Sequence, residues 1–271
     1  MNTAAFYTNR PLFDVCFRND YGIFNNAPIT DENIWDYEYD FYVSRWYHVC
    51  CELNIPTAQS DISFSVSDLT KRPDAIDAFI ATMPGGRCFA RLDTCSSKPT
   101  APFYSAKEIA DHLNSSTRTK FVMADMPWHP IALREWIDNI NTRFWEVRCF
   151  VVNNVLRGIS GPHCESENGS HPTPEQLRRH LFAIKSMVNT IVKQANYPDC
   201  TIDLLIPRTD ADILQLVEIN TPVWLFATSG LFDITLPADV AILCGPVAAL
   251  EDVVTLPVWR AELADGEIVT I

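Results

Sequence analysis

The chain has 271 residues, of which 47% are apolar and 11% aromatic, and it carries a formal net charge of −13. That size and composition bury a large core and make one large domain or two lobes. The acidic balance excludes nonspecific nucleic-acid binding, which needs a basic surface, while a local cationic pocket for one nucleotide stays compatible because charges beyond about 10 Å are screened.

In chain order, Thr30 followed by Asp31 and Glu32 opens a helix with acids in its first turn. Trp35, Tyr39, Tyr42 and Trp46 recur at spacings of three and four and read as its packed stripe. Pro73 starts a second helix, with Ile76, Phe79, Ile80 and Met83 on one face and Gly85-Gly86 at its end. Cys88–Leu92 reads as a strand. Ser105 and Glu108 form a capping box before Ile109 and Leu113. Ile131–Trp136 and Trp145–Val152 read as strands, the second turning at Asn153-Asn154 into Val155–Ile159. Gly161–His171 is polar and aperiodic, a loop. Thr173, Pro174 and Gln176 then start a helix buried along Leu177, Leu181, Ile184, Val188 and Ile191. Thr201–Ile206 and Ile213–Ile219 form an antiparallel hairpin, and a tail with Pro222, Pro237, Pro246 and Pro257 is expected to hold short elements. Hairpins separated by helices, without regular alternation, give an α+β fold.

Nine cysteines include no C-x-x-C pair and six histidines are dispersed, so no zinc cluster is indicated, and the odd cysteine count suits a reducing cytoplasm. No apolar run reaches the about 20 residues of a membrane span, and no signal peptide is evident at the N-terminus. The strongest chemical grouping is in the late hairpin. Glu218 and Asn220 lie two apart on one strand, so their side chains face one point, and Asp203 on the neighbouring strand can face it too. Such oxygen ligands suit Mg²⁺. The alternative is a polar pair on a solvated face, although Leu216, Val217 and Ile219 make the strand apolar, where a charge needs a partner. A second grouping is cationic: Arg91 at a strand end, Lys98 in the Ser/Thr/Pro-rich loop Thr94–Thr100, and Arg148 within an apolar strand. Arg148 is placed either to grip a phosphate or to pair with Glu146 or Glu135. Glu135, Trp136 and Ile137 end a strand whose edge could receive an adenine or could simply bury the tryptophan.

Taken in order, these pieces resemble the ATP-grasp superfamily. Gly85-Gly86-Arg87-Cys88-Phe89-Ala90-Arg91-Leu92-Asp93, Leu133-Arg134-Glu135-Trp136 and the run from Glu146 to Ser160 resemble the cell-division-cycle 123 family, whose members assist assembly of translation initiation factor 2. Arg91, Lys98, Arg148, Glu218-Ile219-Asn220 and Ser229-Gly230-Leu231-Phe232-Asp233 resemble a related ATP-grasp group named for two arginines and one lysine. The chain departs from the first family at Arg91, where lysine is usual, and at Gly161-Pro162-His163, where a Gln-Arg-Asp run is usual. The resemblance implies two α+β lobes holding a nucleotide between them: residues 71–130 as first lobe, 131–271 as second lobe with the metal site, and 1–70 as an aromatic-rich helical cap. It implies that Arg91, Lys98 and Arg148 contact ATP phosphates, with Lys98 and Arg148 catalytic. Glu135, Trp136 and Ile137 would line the adenine, and Asp203, Glu218 and Asn220 would hold Mg²⁺. The implied activity is that of a carboxylate–amine ligase acting through an acyl phosphate on a small-molecule or peptide acceptor. The other implied role is an ATP-binding assembly chaperone for a protein partner resembling initiation factor 2.

Overall fold

A computed structural model describes residues 23–24, 27–28, 41–152, 154–160, 172, 174–221, 260–262 and 268–270. In chain order the strands are β1 (Ile23–Phe24), β2 (Ala27–Pro28), β3 (Ser60–Ser65), β4 (Cys88–Leu92), β5 (Pro130–Glu135), β6 (Phe144–Val152), β7 (Val155–Ser160), β8 (Cys200–Pro207), β9 (Gln215–Asn220), β10 (Arg260–Glu262) and β11 (Ile268–Thr270). The helices are α1 (Val43–Glu52), α2 (Asp68–Lys71), α3 (Pro73–Thr82), α4 (Ala106–Ser115), α5 (Lys120–Asp125), α6 (Ile140–Arg143) and α7 (Pro174–Gln194). β1 pairs with β2 and β10 with β11 as short antiparallel hairpins. The helix start at Thr30, the stripe residues Trp35 and Tyr39, the Gly161–His171 loop, the Thr173 cap and the proline-rich tail lie outside the described residues.

The chain divides into two compact units. One comprises residues 39–51 and 57–138 and is built on an antiparallel sheet in the order β3-β5-β4. β5, which the sequence division places at the start of the second lobe, is the central strand of this sheet. Its alternation explains that position. Ile131 and Leu133 join a core with Ile76, Ile80, Leu92, Ile109 and Leu113, while Arg134 sets its guanidinium over the Trp46 ring, 5.6 Å from the ring centre. Arg134 Nε donates to Ser60 Oγ at 3.0 Å and its Nη2 to Thr57 Oγ1 at 3.1 Å, so the buried cation meets oxygen acceptors as well as a π-face. The capping box at α4 forms through Ser105 Oγ, which accepts from the Glu108 N–H. Glu108 reaches back to the Tyr104 N–H, one residue earlier than the usual partner. α3 ends in a tight turn in which Gly85 and Gly86 have φ of 70° and 62°, the left-handed region that favours glycine.

α1 is capped from a distance. Asp93, directly after β4, accepts from the Ser44 N–H at 2.7 Å and from Ser44 Oγ at 2.6 Å, and its carbonyl oxygen accepts from the Val43 N–H at 3.3 Å. The carboxylate is 1% exposed and lies at the positive end of the helix, where a negative charge is stabilising.

The other unit comprises residues 1–38, 52–56 and 139–271. Its sheet is antiparallel in the order β7-β6-β8-β9. The expected hairpin is β8–β9, and the turn after β6 contains Asn154 at φ 61°. Trp145, Val147, Cys149 and Val151 on β6 and Ile202, Leu204 and Ile206 on β8 are buried on one face. α7 runs 21 residues and buries Leu177, Ile184, Val188 and Ile191, while Leu181 is half-buried.

Candidate functional site

The register of the four-stranded sheet sets three charged residues in one row. Arg148 on β6 lies opposite Asp203 on β8, and Asp203 lies opposite Glu218 on β9. Each of the first two is the lone charge at the middle of an apolar run, Val147-Arg148-Cys149 and Ile202-Asp203-Leu204. Burying either alone is costly, so both are driven onto the same rung. Arg148 Nε donates to Asp203 Oδ1 at 2.7 Å and Nη2 to Oδ2 at 2.6 Å, a two-pronged contact. The Asp203 side chain is 1% exposed and that of Arg148 13%.

Asn220 follows Glu218 at a spacing of two and donates from Nδ2 to Asp203 Oδ2 at 3.2 Å. Asp203, Glu218 and Asn220 therefore converge as their spacing predicts. A β-bulge sits beside them: Asp203 pairs with Glu218 but Leu204 with Leu216, leaving Val217 as the extra residue. Bulges of this kind re-aim side chains, and this one separates the Glu218–Asn220 segment from the regular ladder below it.

Electrostatics follow from this row. Burial pushes Asp203 above its ordinary range and the facing Glu218 carboxylate adds to that, while Arg148 pulls it down. Burial lowers Arg148, but the Asp203 contact more than offsets it and holds the guanidinium above its usual range, with smaller support from Glu218 and Glu146. Arg148 is thus paired with Asp203, and Glu146, one of the partners the sequence offered, acts only as a more distant charge. The signal that could have revealed the pair was the matching of two lone charges in apolar strands.

The fit to Mg²⁺ rests on this donor set. Two carboxylates facing across neighbouring strands destabilise each other unless neutralised. Arg148 pairs with Asp203, and a dication would offset the repulsion that Glu218 adds. The donors are all oxygens, which magnesium prefers. Among the described residues no group of three or more His, Cys, Asp or Glu comes together.

The first unit places its predicted residues as follows. Arg91 pairs in register with Ala132, is 5% exposed, and its Nε donates to the Leu92 carbonyl at 3.2 Å. Lys98 is exposed, adopts φ 57°, and its N–H donates to Ser96 Oγ at 3.1 Å. The neighbouring Ser97 Oγ is buried without a hydrogen-bond partner among the described residues. Glu135 closes β5 opposite Cys88, its N–H bonded to the Gln59 carbonyl at 2.8 Å. Glu135, Trp136 and Ile137 are all half-buried.

Two further arginines lie in the second unit. Arg208 lies over the Trp145 ring at 4.7 Å, and its Nε donates to the Phe144 carbonyl. Trp145 alternates with Arg148 along β6, so Arg208 attends the opposite face from the Arg148–Asp203–Glu218 row. Arg157 is 8% exposed and occupies the irregular step of the β6–β7 pairing.

No protein-family model and no curated protein sequence matches the chain. Solved structures do. Cdc123 from Schizosaccharomyces pombe superposes with a TM-score of 0.52 at 16% identity, covering 69% of this chain and 85% of that one. A C-terminally truncated Cdc123 from the same organism gives 0.51 at 18% identity, covering 71% and 86%. A RimK domain ATP-grasp protein from Sphaerobacter thermophilus gives 0.46 at 14% identity, covering 77% and 68%. At these identities the likeness shows the fold: the α+β ATP-grasp architecture resembling Cdc123 that the sequence implied.

Proposed function

We propose that this chain binds ATP with Mg²⁺, and that Asp203, Glu218 and Asn220 form the group that holds the metal. The observation that carries the reading is the row Arg148–Asp203–Glu218 with Asn220 beside it. It combines two neighbouring carboxylates and an amide with a guanidinium whose Nη1 edge is not used by Asp203. That edge would take a phosphate oxygen. Arg91 and Lys98 are proposed as further phosphate contacts, and Glu135, Trp136 and Ile137 as the adenine contact, on the strength of the sequence resemblance.

The reaction proposed is ligation of a carboxylate to an amine through an acyl phosphate, with Arg148 and Lys98 stabilising charge on the transferring phosphoryl group. When bound, Mg²⁺ supplies charge neutralisation at the same group. The acceptor would be a small molecule or peptide. The six described cysteines are all free, which suits the cytoplasmic setting that is part of this proposal. No helix among the described residues is long and apolar enough to cross a membrane.

The fold likeness to Cdc123 favours a second reading, an ATP-binding assembly chaperone for a protein partner resembling initiation factor 2. Calorimetry separates binding from its absence: Glu218→Gln is expected to abolish Mg²⁺-dependent ATP binding with the fold intact, and unchanged affinity would overturn the metal assignment. ATP turnover against a pool of amino acids, polyamines and short peptides separates the two roles. Acceptor-dependent ADP release supports the ligase. Its absence, together with retention of the initiation factor's gamma subunit, supports the chaperone.

A further inference from the structure

The β4–β5 ladder stops one rung short of where its register would carry it. Cys88 turns its N–H and carbonyl away from β5 and bonds both to Phe103 at 2.9 Å. Antiparallel pairs alternate between bonded and unbonded rungs. After the Cys88–Glu135 pair, the next bonded rung would therefore join Arg87 to Trp136. That rung is missing: neither Trp136 nor Ile137 makes a backbone hydrogen bond among the described residues. The segment is nevertheless held on both flanks. On the β3 side the Glu135 N–H donates to the Gln59 carbonyl at 2.8 Å. On the β4 side Arg87 Nη2 donates to Asp138 Oδ2, a contact that spans the two unpaired residues.

We infer, in an assignment that rests on the adenine contact proposed above, that the Arg87–Asp138 pair is a clasp. It keeps the Trp136–Ile137 backbone out of the ladder and open to a purine base, and both its members are positioning residues. A base edge needs a donor and an acceptor close together, and an unpaired strand end offers both from its main chain. Such an end would ordinarily be closed by its neighbour, because half-buried backbone groups seek partners. Here the main-chain rung is exchanged for a side-chain pair. Arg87 leaves the Gly85-Gly86 turn in extended conformation, with φ −150° and ψ 159°. A Cβ on Gly85 would lie 3.1 Å from Arg87 Nε and 3.5 Å from its Cζ, so the glycine leaves the guanidinium room to lie back over the turn. Arg87 Nε is buried beside that turn without a hydrogen-bond partner among the described residues. The anchor of the guanidinium is thus its Nη2 contact with Asp138.

ATP and inorganic tripolyphosphate share a phosphate chain and differ in the nucleoside, so together they isolate the base contact. Their affinities are measured by calorimetry with Mg²⁺ for the native chain, Arg87→Met, Asp138→Asn and the double variant. The side chains of the pair are 28% and 51% exposed, which keeps its contribution modest. Each single variant is expected to weaken ATP by about fivefold, the most that an exposed pair supplies. Tripolyphosphate is expected to bind as it does to the native chain, whereas a merely structural pair would move both ligands. The double variant is expected to be no weaker than the singles, because the same contact is lost in all three.

As a second readout, amide hydrogen exchange is followed at Trp136 and Ile137. In the native chain ATP is expected to slow these amides and tripolyphosphate to leave them unchanged, and Arg87→Met is expected to lose the protection. Should Arg87→Met fail to fold by circular dichroism, Asp138→Asn, at an exposed side chain, still decides. Unchanged ATP affinity in the variants, tripolyphosphate weakened as much as ATP, or additive losses in the double variant overturns the inference alone. A native chain that binds ATP no more tightly than tripolyphosphate, or whose two amides ATP does not protect, overturns the adenine contact beneath it, and the inference with it.

Discussion

Removing Arg148 tests the central row most directly. In Arg148→Met the apolar stem is kept and the guanidinium is lost, so Asp203 keeps the Asn220 amide at 3.2 Å and the repulsive Glu218 carboxylate beside it. It loses two charge-assisted bonds at 2.7 and 2.6 Å while 1% exposed. Breaking a buried pair by removing one partner costs about 3–5 kcal/mol. A ceiling comes from the acid's own escape route, because protonating a carboxyl of ordinary pKa near 3.9 at pH 7 costs about 4 kcal/mol. The expected loss is therefore about 3–4 kcal/mol at pH 7, a large share of a typical domain's stability.

The double variant Arg148→Met/Asp203→Leu removes both charges and replaces them with side chains of similar size, so it is expected to cost no more than about 1 kcal/mol. Urea denaturation of the native chain, both single variants and the double gives the coupling directly as a double-mutant cycle. A loss below about 1 kcal/mol for Arg148→Met would show that Asp203 is not held as the row describes. A double variant less stable than Arg148→Met would show the same.

Three other outcomes can be checked with similar means. Asp93→Ala removes the long-range cap of α1 and is expected to cost about 2 kcal/mol in urea denaturation, with faster hydrogen exchange at Ser44. Gly86→Ala meets open space but must hold φ 62°, so its cost is backbone strain alone, about 1 kcal/mol by thermal unfolding. His129 is 3% exposed; burial depresses its pKa below the ordinary 6.5, with Asp93 opposing. The folded state therefore binds fewer protons than the unfolded one. Its contribution is present above pH 6.5 and is lost as pH falls through the depressed folded value, and His129→Gln is expected to flatten that part of the stability profile.

The elements carried by local pattern were legible in the sequence. Cys88–Leu92 forms the strand that its apolar residues suggest, and α3 and α7 follow their apolar spacing and their proline starts. Glu218 and Asn220 were legible as a pair because strand alternation fixes their common face. What was not legible depends on contacts between distant segments. Arg148 meets Asp203 across 55 residues, and Asp93 caps α1 across 49. The bulge at Val217 was also hidden, because an extra residue in one strand shows only against the register of its neighbour. A sequence offers Arg148 several acids, among them Glu146 nearby, and only the pairing of β6 with β8 selects one.

That selection decides which acid Arg148 engages. Among the described strands β8 lies between β6 and β9, so Asp203 has a neighbour on each side, a cation on one and an acid on the other. β9 ends the four-stranded sheet, and Glu218 is only half-buried there. Arg148 can fully engage one carboxylate, and the register gives it the inner one. The second acid of the row thus lies at its more exposed end, beside an amide whose Nδ2 is on Asp203. In the proposed reading a cation would approach from the more exposed Glu218 and Asn220 side, leaving the buried Arg148–Asp203 pair closed.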